Sequence, residues 1–220
     1  MRKQLLFDLD GTLVDSRPRL YHLFRELAPD CDLSFENYWI LKRAKADHAM
    51  ILRSHYGWDD GAIARFQEEW MARIELPAWL AYDTPFPGVP ALLEALHEHA
   101  DLYVFTARQS EREALTQLET LGLLRHFRKV FVTQQKLDKQ QLVASSLLTI
   151  QPSDIVIGDT GVDVQLGKKL GCRTVAVTSG FRSREVLEEY HPDHIIDSVD
   201  APEFLSIVDL HLSTSRGSDS

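Results

Sequence analysis

The chain has 220 residues, with 24 Lys and Arg against 33 Asp and Glu, a formal charge of −9, and 44% hydrophobic and 26% charged residues. That is the composition of a globular protein long enough for a sizeable core, and its acidity argues against nucleic acid or an anionic membrane as partner, so an anionic substrate needs local cations. Cys31 and Cys172 lack metal-type spacing, and the apolar run Leu5-Leu6-Phe7 is too short for a signal peptide or a span, so a reducing, cytoplasmic setting is expected.

Taken in chain order, residues 4–9 predict a strand that runs into Asp8 and Asp10, and Gly11 lets the chain turn. Alternate side chains of a strand share a face, so the two carboxylates leave on one side. Such a pair does not ionise cheaply; it invites a divalent metal and suits one acid as nucleophile and the other as proton carrier. From about residue 16 to 84 there is no convincing strand. Amphipathic stretches at 19–27 and 63–73, with all four tryptophans (Trp39, Trp58, Trp70 and Trp79), predict a helical module with its own core. The proline-rich residues 83–88 read as the return linker.

Beyond residue 85 strands and helices alternate. Strands are predicted at 102–106, 129–133, 154–158, 173–178 and 194–196, and helices at 89–99, 111–121, 139–148, 162–170 and 184–190. Together with the first strand this is an α/β fold, a doubly wound parallel sheet carrying an inserted α-helical unit. The expected division is 1–15 and 85–212 for the catalytic core, 16–84 for a helical cap and 213–220 for a flexible tail.

Ligands of such sheets bind at the carboxyl ends of strands. Thr106 ends one predicted strand in a hydroxyl, and the following Ala107 and Arg108 enter a helix whose free amides suit a phosphoryl oxygen. Another strand ends in Gly158-Asp159, with Asp163 four residues on, and such hard oxygen ligands suit Mg²⁺.

Asp8-Leu-Asp-Gly-Thr12 resembles the first motif of the haloacid dehalogenase superfamily in its Asp-x-Asp form. Thr106 after its apolar strand resembles the second motif and Gly158-Asp159 with Asp163 the fourth; the third is a lysine near the start of the helix before that last strand, where it would neutralise the phosphoryl oxygens, and Lys139 and Lys136 are the candidates, with Lys139 favoured. Gly180-Phe181 and residues 192–197 resemble phosphoglycolate-phosphatase-like members. The resemblance implies a HAD-like core with a helical cap, and a Mg²⁺-dependent phosphatase that hydrolyses a small phosphorylated metabolite through an aspartyl phosphate. It makes Asp8 the nucleophile and Asp10 the acid and base, with Thr106 and Lys139 (alternatively Lys136) catalytic. The implied metal ligands are Asp8, Asp10, Asp159 and Asp163; the implied substrate contacts are Thr106, Ala107 and Arg108, Ala107 standing where many members have asparagine.

A sugar phosphomutase of the same superfamily is the alternative, followed by a noncatalytic phosphate-binding protein on this fold. Asp10 counts against a dehalogenase or a phosphonate hydrolase, and the large insertion counts against a signalling receiver domain. On the helical module Arg17, Lys42, Arg43, Lys45 and Arg53 are available cations for a leaving group. The sequence leaves the oligomeric state open.

Overall fold

The computed structural model describes residues 2–146 and 148–208, so the expected tail at 213–220 and the end of the core at 212 lie outside the described residues. Six strands, β1 (Gln4–Phe7), β4 (Asp101–Thr106), β5 (Lys129–Val132), β6 (Ile155–Gly158), β7 (Arg173–Val177) and β8 (His194–Ile196), form one parallel sheet in the order β5-β4-β1-β6-β7-β8. Strand β1 is central, and the chain builds outward from it on both sides. The order therefore reverses at β1, which places the ligand crevice of an open parallel sheet at the carboxyl ends of β4, β1 and β6.

Continuous apolar runs make these strands because both faces of the sheet are covered. Leu5 and Phe7 pack on one face with Val104, Ile157, Leu93 and Leu118, while Leu6 packs on the other with Phe105, Val156, Val143 and Leu166. The covering helices include α6 (Val89–Leu96), α7 (Glu111–Thr120), α8 (Lys139–Ser145), α9 (Gly161–Leu170), α10 (Arg184–Glu188) and α11 (Pro202–Ile207). The doubly wound sheet is as expected from the sequence; helix α11 was not anticipated.

Between the two-residue strands β2 (Val14–Asp15) and β3 (Thr84–Pro85) lie five helices: α1 (Arg17–Leu27), α2 (Phe35–Arg43), α3 (His48–Tyr56), α4 (Asp60–Arg73) and α5 (Pro77–Leu80). Ser34, Asp47 and Asp59 each accept a backbone N–H of the helix they open, from Asn37, Met50 and Ala62, at about 1 kcal/mol per cap. Phe24, Tyr38, Trp39, Ile51, Leu52, Ile63 and Phe66 form a hydrophobic cluster of their own beneath these helices. Strands β2 and β3 pair antiparallel, Val14 opposite Pro85 and Asp15 opposite Thr84, so the chain leaves and re-enters the sheet layer side by side. The sequence signalled only a linker there, because two residues carry no periodicity and Pro85 reads against a strand.

Candidate active site

Strand β1 ends at Phe7, but its ladder continues one step, with Asp8 N donating to Ile157 O at 2.8 Å. The chain then turns through Gly11 at φ +85°. The two carboxylates, expected from strand alternation to leave on one side, instead diverge, because the extended ladder ends at Asp8 before Asp10 is reached, and each joins a different cluster of buried charge.

Asp8 belongs to the first cluster. The N-terminus of α8 is fixed by a capping box between Asp138 and Gln141, and this start brings Lys139 inward. Lys139 Nζ donates to Asp8 Oδ1 at 2.5 Å and to Asp163 Oδ1 at 2.6 Å. Lys136 is exposed and donates to Gln134 Oε1. Asp163 also holds the start of α9, its Oδ2 accepting from Thr160 N and Oγ1 at 3.1 and 2.6 Å. Asp159 Oδ2 accepts from Phe181 N at 2.6 Å, whereas its Oδ1 is buried without a hydrogen-bond partner. Candidate ligand atoms of Asp8, Asp159 and Asp163 all lie within 4.8 Å of one another. The Asp159 carboxylate is wedged so closely between Gly11 and Gly180 that a Cβ on either glycine would overlap it.

Three buried carboxylates face one ammonium group in this cluster. Burial pushes Asp8 up to about 7 against the pull of Lys139, with Asp163 adding to the rise. Burial and the neighbouring Asp8 and Asp163 raise Asp159 well above the usual carboxylate range. For Lys139, burial opposes the charge, but Asp163 and Asp8 outweigh it and hold the ammonium above the usual lysine range.

Asp10, expected among the metal ligands, lies outside this group because two arginines take its carboxylate. Arg108 donates through Nε to Oδ2 at 2.8 Å and through Nη2 to Oδ1 at 2.7 Å, and Arg19 Nη2 donates to Oδ1 at 2.5 Å. Both arginines also pair with Asp83, Arg108 Nη2 at 3.2 Å and Arg19 Nε at 3.1 Å, and Gln117 Nε2 donates to Asp83 Oδ2 at 2.8 Å. Burial works against an ionised Asp10, but Arg108 and Arg19 hold it well below the usual carboxylate range. Burial pushes Asp83 up to about 6, with the arginines opposing.

The sequence offered Arg108 as a substrate contact. It does line the central cavity; its Nε and Nη2 are engaged by Asp10 and Asp83, while its Nη1 is buried without a hydrogen-bond partner. Arg19 and Asp83 were missed altogether; the one available signal is that each sits beside a crossing between the sheet layer and the helical segment.

A cavity of about 340 Å³ opens above both clusters. Asp8, Asp10, Thr106, Ala107, Arg108, Lys139 and Asp159 line its floor. Thr106 is buried at the end of β4, while Ala107 is exposed. Helical residues Leu20, Trp70, Ile74 and Glu75 face them across it. Glu75 ties the two sides together, its Oε1 accepting from Gln109 N at 2.8 Å and its Oε2 from Ser110 N at 3.0 Å. On the other flank Trp39 stacks on Phe181 with ring centroids 5.5 Å apart. Tryptophan was read from sequence as core alone; Trp70 also reaches this cavity.

Residues 5–177 match the family of haloacid dehalogenase-like hydrolases. Over 216 residues the chain is 25% identical to a phosphoglycolate phosphatase of Mesorhizobium japonicum, covering 91% of this chain and 92% of the relative. It is 24% identical over 207 residues to the pyrophosphatase PpaX of Oceanobacillus iheyensis, covering 90% and 93%. The fold is similar to that of a candidate phosphatase from Clostridium difficile, with a TM-score of 0.74 at 20% identity over 94% of this chain and 98% of that one. The resemblance read from the four motifs thus agrees with a match spanning most of the sequence: the chain belongs to the haloacid dehalogenase-like hydrolase family.

Proposed function

We propose that this protein is a Mg²⁺-dependent phosphatase that hydrolyses a small-molecule phosphate monoester through a phosphoaspartate on Asp8. The observation that carries this reading is the convergence of Asp8, Asp159, Asp163 and Lys139 at the carboxyl edge of the sheet. The relatives named for phosphoglycolate and pyrophosphate hydrolysis support phosphoryl chemistry on a small substrate. No helix among the described residues is long and apolar enough to cross a membrane; we place the activity in the cytoplasm.

The donor set fits a hard divalent cation. Its ligands are all carboxyl oxygens, three such groups converge beside the single ammonium of Lys139, and Asp159 Oδ1 is buried without a partner. Asp8, Asp159 and Asp163 would hold Mg²⁺, which when bound supplies positive charge beside the phosphoryl oxygens.

The remaining work falls to side chains of this chain. Lys139 orients Asp8 for in-line attack on phosphorus and offsets charge on the transferring group, and Thr106 donates its hydroxyl to a phosphoryl oxygen. Asp10, ionised between its arginines, is ready to take a proton from the water that hydrolyses the phosphoaspartate. To protonate the leaving oxygen in the first step it must first gain a proton against Arg108 and Arg19. Residues 16–84 act as a cap over the site, with Glu75 fastening it to the loop after β4 and water excluded during transfer.

The test is phosphate release from a panel of monoesters with Mg²⁺. Turnover in the wild type, its loss in excess chelator and its loss in Asp8→Asn are expected. Full activity in Asp8→Asn would overturn the covalent mechanism, and full activity after removal of tightly bound metal would overturn the cation assignment.

A further inference from the structure

None of the five helical cations that the sequence offered for a leaving group lines the cavity. Arg17 pairs with Asp15 at 2.7 Å, Lys45 with Glu189 and Arg53 with Asp60, each at 2.5 Å. Arg43 donates to Thr178 O at 3.2 Å, and Lys42 is half-buried near Arg182 and Asp47. A sixth, Arg19, is committed to Asp10 and Asp83. The cations among the described lining residues are Arg108 and Lys139; Lys139 is paired with Asp8 and Asp163, and Arg108 with Asp10 and Asp83 through Nε and Nη2, its Nη1 being buried without a partner.

What faces the leaving group is apolar. Leu20, Trp70 and Ile74 come from the helical segment, and Val162 and Phe181 from the sheet layer. Val162 is 57% exposed and lines the cavity, so its side chain is open to contact with a ligand. The one charge on this wall is Glu75, an anion already satisfied by two backbone amides.

We infer that the substrate is the phosphate ester of an uncharged alcohol with an apolar, ring-sized body, and that Trp70 and Val162 set this preference. The inference rests on the phosphatase reading above. A carboxylated alcohol such as glycolate would meet no cation on the wall formed by Leu20, Trp70, Ile74, Val162 and Phe181 and would lie near Glu75, whereas an apolar group gains by leaving water. A site of this kind discriminates strongly against charge and weakly between apolar groups of similar size.

The test compares 2-phenylethyl phosphate with 2-phosphoglycolate, both alkyl esters, by steady-state kinetics with Mg²⁺ and by calorimetric binding to Asp8→Asn protein. Expected is a kcat/KM at least ten-fold higher for 2-phenylethyl phosphate, with a matching preference in binding. Trp70→Ala should lower kcat/KM for that ester at least five-fold more than for methyl phosphate, chiefly through KM, and Trp70→Phe should restore most of the loss. Since Trp70 also packs on His48 and Phe66, Val162→Arg supplies a second test at an exposed position, and should raise the ratio for 2-phosphoglycolate over 2-phenylethyl phosphate at least ten-fold. Equal or better use of 2-phosphoglycolate by the wild type, or an unchanged ratio in Val162→Arg, overturns the inference while leaving a phosphatase. Tighter binding of 2-phenylethyl phosphate without turnover of any ester would instead support it and overturn the phosphatase reading.

Discussion

Asp8 and Asp10 are separated by a single leucine, yet they sit in opposite electrostatic settings. Around Asp8, three carboxylates share one lysine and burial drives Asp8 up to about 7. Around Asp10, two carboxylates share two arginines, and Asp10 is held well below the usual range. The first cluster is unbalanced and therefore open to a cation; the second is closed on itself. Strand pairing ends at Asp8, so alternation no longer holds at Asp10, and one acid meets α8 and α9 while the other meets α1 and the loop after β4.

The largest expected effect lies in the open cluster. Asp8→Asn is nearly isosteric and should fold, yet lose turnover by on the order of 10⁴-fold or more. Lys139→Ala should cost roughly 10²–10³-fold in kcat, as loss of one charge-stabilising donor does, while Lys136→Ala at an exposed position should stay within about two-fold. The reverse ranking would place the helix start wrongly.

Arg108→Ala probes the closed cluster. It should destabilise the fold by about 3 kcal/mol through a stranded buried acid, a fall in melting temperature of roughly 6–12 °C. Because that network has its charges matched, the fall should be the same with Mg²⁺ and with chelator, whereas the fall for Lys139→Ala should shrink in Mg²⁺. A Mg²⁺ effect of equal size on both variants would break the contrast. Asp10→Asn refines it: if Arg108 and Arg19 keep Asp10 ionised through the first step, losses on a nitrophenyl and an alkyl ester will be equal, and if Asp10 gains a proton the alkyl ester will lose more.

The smallest effect lies away from both clusters. His48 accepts burial between Phe24 and Trp70, its Nε2 2.8 Å from Tyr38 Oη, and burial together with nearby Lys42 holds it well below its ordinary value of 6.5. The unfolded chain therefore binds the proton first, so this contribution is complete above pH about 6.5 and declines below it by at most about 1.4 kcal/mol per unit. Chemical denaturation of wild type and His48→Gln at pH 7 and 5.5 should differ in slope with pH by no more than that; equal slopes would mean His48 is not protonated selectively on unfolding.

Much of the sheet was legible because β1, β4, β6 and β7 are apolar runs ending in chemistry-bearing residues, and the acids of the open cluster follow directly from strand ends. The choice between Lys139 and Lys136 stayed open in the sequence, although Asp138 and Gln141 already spell the capping box that fixes the helix start. The closed cluster was not legible. Arg19 and Asp83 are distant in sequence, each ordinary in its own segment, and only the pairing of β2 with β3 makes them neighbours of Asp10. Trp70 was hidden for another reason: in a segment rich in aromatics, periodicity cannot separate a ring that fills the core from one that also borders a cavity.

The β2–β3 ladder has a consequence for how such a protein is assembled. With Asp15 and Thr84 directly opposed, the whole helical segment hangs from two adjacent strands, as a cassette hangs from a socket. A short turn joining those two residues would close an ordinary hairpin, so the segment is geometrically exchangeable, and a different insert could be grafted at the same point without re-registering any strand of the main sheet. The ionic partners Arg19 and Asp83 travel with the cassette, so a replacement that lacks them leaves Arg108 and Asp10 paired with each other alone.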